Sequence, residues 1–152
     1  MNLFLGWTAI GGGQVLLITL VLALLRSVRL RRHGPDSTPS HLWSTNPVVM
    51  LALVLGEEWL FRSLVVGYLT PRVGLLWAVG ISAAVFTLAH VPNGVVNVWT
   101  PVNLLLFSVL AGLVYVRFGL AAVTGLHYGW NLMQWPILGY PLYGGGHVGR
   151  WF

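Results

Sequence analysis

The sequence predicts an all-α fold, a polytopic bundle of about five transmembrane helices, and two observations support this prediction. Of the 152 residues, 57% are hydrophobic and only 7% are charged, whereas soluble domains carry about 25% charged residues. The apolar runs reach about 20 residues, the length of a helix that crosses a hydrocarbon core of about 30 Å. They are too long for barrel strands of about 10 residues. We therefore expect one membrane-embedded domain over residues 1–152, in contact with the lipid bilayer.

The first predicted span covers residues 4–25. A cleaved signal peptide is the alternative interpretation, but no positive residue precedes the run and a cluster of arginines follows it, from Arg26 to Arg32. Such a cluster is typical of a stop-transfer signal that stays in the cytoplasm. We therefore expect the amino terminus outside, the carboxyl terminus in the cytoplasm, and a multi-pass protein of a prokaryotic plasma membrane.

The remaining spans follow a polar linker over residues 34–46, which is rich in residues that interrupt helices. Turn and proline signals then divide the apolar sequence into four further spans, over residues 47–69, 73–90, 101–118 and 119–138. We expect the second span to end in a turn at Thr70–Arg72, and Pro136 to end or kink the fifth. No internal repeat is visible, which argues against an inverted-repeat transporter.

Composition excludes several classes of function. The chain has no cysteine, so disulfides, thiolate nucleophiles and thiolate metal sites are ruled out. Its net charge of +5 comes from arginines that cluster beside a predicted span. This pattern indicates membrane topology, and no soluble basic face exists for nucleic-acid binding.

The second span carries Glu57, Glu58 and Arg62 inside an apolar run. A charge at the centre of a bilayer costs about 2.5 to 3.5 kcal/mol even on insertion scales. Glu58 and Arg62 are four residues apart, so they meet on one helix face in the favoured orientation. Glu57 lies about 100° around the helix and is free to face another group. We expect these residues to mark the functional centre.

Two other spans carry polar or aromatic pairs at the same spacing of four residues. They are Phe86 with His90 in the third span and His127 with Asn131 in the fifth. Since polar groups in lipid face a bundle interior or a watery cavity, we expect one shared site that opens to the cytoplasm. Glu57 and Asn131 are predicted to lie at similar depths in the membrane, whereas His90 is predicted to lie closer to the membrane surface.

These three segments resemble the signature of the CPBP intramembrane proteases, which include the CAAX prenyl endopeptidases of the Rce1 type and bacterial abortive-infection proteins. The family pattern is Glu-Glu-x-x-x-Arg, Phe-x-x-x-His and His-x-x-x-Asn or Asp. Here the segments read EEWLFR from Glu57, FTLAH from Phe86 and HYGWN from His127, in the family's order. The three motifs span about half of the chain. The chain itself is short for this family, whose members usually have additional transmembrane helices.

The resemblance implies hydrolysis of a peptide bond in a peptide or protein tail, within or beside the membrane. Glu57 with His90 suits a general base that activates water, and His127 with Asn131 can donate to the oxyanion. Glu58 and Arg62 would support Glu57, while Phe86 packs. Glu57, His90 and His127 also match a catalytic zinc set. Metal-free and metal-assisted hydrolysis therefore both stay open.

Two other functions are compatible with the same residues. The chain could be a non-catalytic relative, a bacteriocin self-immunity or scaffold protein that keeps the motifs for structure. It could also be a proton-coupled transporter that uses Glu57 and His127 as a relay. His33, His41 and His147 lie outside the predicted spans and are interpreted as surface groups. The substrate, whether prenylated or not, cannot be read from the sequence.

Overall fold

A computed structural model of the chain describes residues 2–27, 46–91 and 98–139. Every regular element within these ranges is helical, which agrees with the predicted all-α class. The predicted polar linker lies almost wholly outside the described residues, as do His33, His41 and His147.

Five continuous helices make up the described part of the chain. Helix α1 is Leu3–Leu24, α3 is Leu75–His90 and α4 is Trp99–Phe118. Helix α2 is α-helical over Pro47–Glu58, π-helical over Trp59–Val66 and α-helical again over Gly67–Val73. Helix α5 is α-helical over Leu120–Leu132 and continues as a π-helix over Met133–Ile137.

The break between α2 and α3 differs from the prediction. A turn was expected at Thr70–Arg72, but α2 continues through Pro71 to Val73 and the chain turns at Gly74, whose φ is +81°. This left-handed backbone conformation costs glycine little. The Thr70 hydroxyl donates to the Val66 carbonyl at 2.7 Å. Glycine, and not proline, therefore sets this boundary.

Pro136 falls inside the π-helical turn that closes α5, so the predicted disturbance at this proline is confirmed. Proline lacks the N–H that a regular α-helical turn would use. Helix α5 ends immediately afterwards, at Ile137, with Leu138 as its C-cap.

Among the residues that the structure describes, two helices are long and apolar enough to cross a membrane, α1 and α4. The apolar core helix of a soluble protein would be mostly buried, but only 22% of the apolar window of α1 and 28% of that of α4 is buried inside the molecule. Large apolar side chains instead face outward, for example Leu17 of α1 and Leu106 of α4. Such a surface fits lipid and not water. Helix α3 is apolar but shorter.

The π-helical segment of α2 is tied to α3 by one buried hydrogen bond. The Ser82 hydroxyl of α3 donates to the Phe61 carbonyl at 2.7 Å. Phe61 also packs edge-on against Phe86, with ring centroids 5.1 Å apart. π-helical turns are rare and occur frequently at functional sites, and this one follows the two glutamates directly.

Helix α1 packs along α5 through glycines, and this is the most extensive contact between helices. Gly125 and Gly129 of α5 lie one turn apart against the backbone of α1. A Cβ at Gly125 would overlap the Phe4 carbonyl, and one at Gly129 would overlap the Thr8 carbonyl. Small residues at this spacing allow helix backbones in membranes to approach closely. The contact fixes the position of the helix that carries His127.

We expect Gly129→Ala to lower the free energy of unfolding by about 1 to 3 kcal/mol, because a backbone carbonyl cannot move aside as a side chain can. The measurement is an unfolding titration of the protein purified in detergent. Gly13→Ala on α1 is the matched control, since a Cβ there meets no atom within 4 Å. Equal unfolding midpoints for the two variants would contradict the close contact.

Candidate active site

A buried chain of charged groups joins α2 to α5. The Arg62 Nε lies 2.9 Å from the Glu58 Oε2, and both side chains are fully buried. The other carboxylate oxygen of Glu58, Oε1, lies 2.7 Å from the His127 Nδ1. Glu58 therefore bridges an arginine of its own helix and a histidine of another. The predicted pairing of Glu58 with Arg62 is present, and the bond to His127 was not anticipated.

This bond determines which nitrogen of His127 is available for chemistry. A carboxylate paired with arginine is ionised and can only accept hydrogen bonds, so the Nδ1–H of His127 donates to Glu58. The other ring nitrogen, Nε2, then faces outward from the pair, 3.9 Å from Glu57 Oε2. A histidine held through one nitrogen by a carboxylate presents the second in a fixed direction.

His90 is also oriented by a hydrogen bond from its Nδ1, but with a different partner. Its Nδ1 lies 2.7 Å from the Phe86 carbonyl oxygen. Because a carbonyl only accepts, Nδ1 carries the hydrogen and donates it to this carbonyl. The His90 ring lies against Phe86, with centroids 4.2 Å apart. Phe86 also lies 6.2 Å from the His127 ring and 4.8 Å from the Arg62 guanidinium.

A cavity of about 40 Å³ lies between α3, α4 and α5. Its lining includes His90, His127 and Asn131, together with aromatic, amide and aliphatic side chains from the same helices: Phe86, Asn103, Leu104, Phe107, Trp130 and Gln134. A water molecule needs about 10 to 15 Å³ of such space and two or more polar partners. The cavity therefore has room for a few waters but not for a segment of peptide.

Glu57 does not line this cavity itself. It lies beside His127, which does. Its side chain is 33% exposed, in contrast to the fully buried Glu58 beside it. The two glutamates thus divide as the sequence predicts, one buried in an ion pair and one available to another group. A separation of 3.9 Å between Glu57 Oε2 and His127 Nε2 is one that a bridging water can span.

The proposed metal set does not assemble in the described residues. No three His, Asp or Glu side chains among them lie close enough together to hold an ion. Glu57 and His127 face each other, and His90 reaches the common cavity from another helix. The described residues therefore give the zinc set no support, and no step of the chemistry below uses a metal.

The structure brings most of the predicted residues together. His90, His127, Asn131 and Phe86 line the cavity, so the shallow position expected for His90 does not keep it from the site. Glu57, Glu58 and Arg62 approach the same site from α2 through His127.

Two carboxamide residues of the cavity were missed, Asn103 of α4 and Gln134 of α5. The signal that could have found Asn103 is a lone carboxamide between apolar residues shortly after the start of a span. Gln134 lies one turn after Trp130, whose Nε1–H donates to the Gln134 Oε1 at 2.7 Å. It extends the His127–Asn131 face of α5 by one turn.

Comparison with curated proteins and with solved structures gave no significant match. A family model, described as type II CAAX prenyl endopeptidase Rce1-like, matches residues 39–133. This match covers more than half of the chain and contains all three motifs and every residue of the site except Gln134. Helix α1 lies outside it. The chain belongs to the Rce1-like family of type II CAAX prenyl endopeptidases.

Proposed function

We propose that the protein is an intramembrane endopeptidase that hydrolyses a peptide bond with a water activated by Glu57. Membership of the family implies a hydrolase of the CAAX protease type in a membrane. The observation that carries the proposal is the meeting of three helices at one small polar cavity, with Glu57 3.9 Å from the fixed His127. A carboxylate and an imidazole at this separation are suited to hold and deprotonate one water.

In the proposed reaction, Glu57 takes a proton from the water as the oxygen attacks the scissile carbonyl carbon. The tetrahedral intermediate carries a negative oxygen, which fixed hydrogen-bond donors in a site shielded from bulk water stabilise strongly. The Asn131 amide can donate to it, and so can the His127 Nε2 when the ring is protonated between Glu57 and Glu58. Glu57 then returns the proton to the leaving amine as the C–N bond breaks.

His90 lines the cavity, and the bond from its Nδ1 to the Phe86 carbonyl fixes the ring, so it can orient the water. Glu58 and Arg62 act as positioning residues, because they hold His127 and do not face the cavity. This role differs from the expected support of Glu57 and follows from the bond between Glu58 and His127.

The membrane arrangement belongs to the same proposal. The five helices cross the bilayer, with the amino terminus outside, in a prokaryotic plasma membrane. The outward apolar side chains of α1 and α4 support this arrangement. Val15–Leu22 of α1, the end of α3 at His90 and the start of α4 then lie on the cytoplasmic side, where the site opens.

Hydrolysis is expected to be independent of metal, because the described residues do not gather three ligands. We expect the protein purified in detergent to cleave members of a quenched fluorescent peptide library with the same kcat/KM before and after treatment with 1,10-phenanthroline. The control is a zinc protease treated in parallel, which should lose its activity. Loss of cleavage that zinc or cobalt restores would contradict this prediction and identify a metal enzyme.

A further inference from the structure

A groove of about 260 Å³ adjoins the cavity on the side of α1. Trp7 of α1 packs against Phe118 of α4, with ring centroids 5.0 Å apart. Towards the other end of α1 the groove lies between Val15, Ile18, Thr19 and Leu22 on one wall and Asn103 of α4 on the other. Trp130 and Gln134 of α5 complete the lining. The groove is thus an opening between α1 and α4, which meet through these two rings at the other end of α1.

The groove and the cavity share part of their lining. Asn103, Trp130 and Gln134 line both of them. The cavity has room for water and too little for a substrate, so the peptide has to reach the histidines from an adjoining space. The groove is more than six times as large as the cavity. Its position makes it the approach to His127 from the direction of α1.

The chemistry of the groove indicates what enters it. Its α1 wall is mainly aliphatic, and Thr19 on that wall donates its hydroxyl to the Val15 carbonyl, within the same helix. Apolar side chains of a substrate would be buried there at a gain of about 25 cal/mol for each Å². A charged substrate segment would lose its hydration without finding a partner of opposite charge among these lining residues. The groove therefore favours an apolar segment.

Asn103 is the polar residue on the α4 side of the groove, and it lies where the groove meets the cavity. Its side chain is exposed, and no hydrogen bond joins it to another residue of the described ranges. A carboxamide offers both a donor and an acceptor. An extended peptide exposes N–H and C=O groups that need such partners in an apolar environment, whereas the backbone groups of a helix are already bonded to each other. Asn103 thus matches an extended backbone.

We propose that the groove holds the substrate as an extended apolar polypeptide segment, and that Asn103 binds its backbone beside the scissile bond. This inference rests on the proposed hydrolysis and adds the class of substrate and the residue that selects it. The segment enters sideways between α1 and α4, so α1, which lies outside the family match, becomes part of the substrate site.

The first test is kinetic and uses two quenched fluorescent decapeptides that differ only in the residues flanking the central bond. These residues are leucine in one peptide and serine in the other. Ile18→Trp fills the groove and should lower kcat/KM for the leucine peptide by about tenfold or more, mainly through KM. Leu17→Trp is the matched control, because Leu17 is 62% exposed and does not line the groove. It should keep the wild-type kcat/KM.

Asn103→Leu has a similar volume and lacks the carboxamide. It should raise KM for the leucine peptide about tenfold while leaving the unfolding midpoint unchanged, because a buried substrate N–H or C=O loses its partner. Val102→Leu, at the neighbouring position, should have no effect. If Ile18→Trp and Asn103→Leu keep the wild-type kcat/KM while Glu57→Gln is inactive, the groove proposal is wrong and the proposed hydrolysis stands.

The second test does not depend on turnover. A photoreactive benzoylphenylalanine is placed at position 18 or position 17 of the Glu57→Gln variant and irradiated with the biotinylated leucine peptide. We expect labelling at position 18 that the unlabelled peptide competes away, and none at position 17. Equal or absent labelling at both positions would overturn the groove. Labelling at 18 without hydrolysis by the wild-type protein would overturn the proposed function and leave the groove as a peptide-binding site.

Discussion

Glu57→Gln is expected to lower kcat/KM for peptide hydrolysis by about 10²- to 10⁴-fold, the usual contribution of a general base. The amide has nearly the shape of the carboxylate but cannot take a proton from water. The variant should fold normally, since Glu57 is only partly buried and the buried ion pair involves Glu58. The measurements are kcat/KM for a peptide of the fluorescent library and the unfolding midpoint in detergent.

The control for this prediction is Gly56→Ala, one residue earlier, where an added Cβ meets nothing within 4 Å. It should retain both activity and stability. Undiminished hydrolysis by Glu57→Gln would remove the central claim. If the wild-type protein also lacks activity and the variant fails only in assembly, the motifs serve structure, as in the scaffold alternative.

Arg62→Met is expected to lower the free energy of unfolding by about 3 to 5 kcal/mol, because it leaves a buried carboxylate without its cation. Glu58 and Arg62 are both fully buried at 2.9 Å, and the guanidinium also lies over the Phe86 ring. Activity should fall as well, because Glu58 loses the partner that holds its carboxylate in place beside His127. The measurement is an unfolding titration.

Two further variants separate this effect from a general loss of arginine. Arg72→Met removes an exposed arginine near the end of the same helix, whose guanidinium stacks on Tyr68. It should cost no more than about 1 kcal/mol. The double variant Arg62→Met with Glu58→Gln should recover part of the lost stability, because no unpaired charge remains. If Arg62→Met is as stable as Arg72→Met, the buried pair has no structural importance.

Much of the site was predictable from local spacing. Residues four apart share a helix face wherever the helix lies in the fold, so the pairs Glu58–Arg62, Phe86–His90 and His127–Asn131 follow from sequence alone. The cost of charge in lipid then predicts that they face one another. The structure agrees for the ion pair of α2 and for the cavity that His90 and His127 share.

The partner of Glu58 across the bundle was not predictable. Its bond to His127 links residues 69 positions apart, and only the packing of α2 on α5 decides which carboxylate reaches the ring. The spacing predicted that Glu57 faces away from Arg62, but it could not show that Glu58 binds His127. The position of the turn at Gly74 was also missed, because proline and glycine signals lay only a few residues apart.

The sequence by itself determined a helical membrane protein, the order of its helices and the residues of its polar motifs, because composition and i to i+4 spacing are local properties. Tertiary structure decided which nitrogen of His127 is presented, how closely α1 approaches the glycines of α5, and where Asn103 stands. These features depend on the distance and rotation between helices. Contacts between side chains far apart in the chain set both, and no periodicity within one helix encodes them.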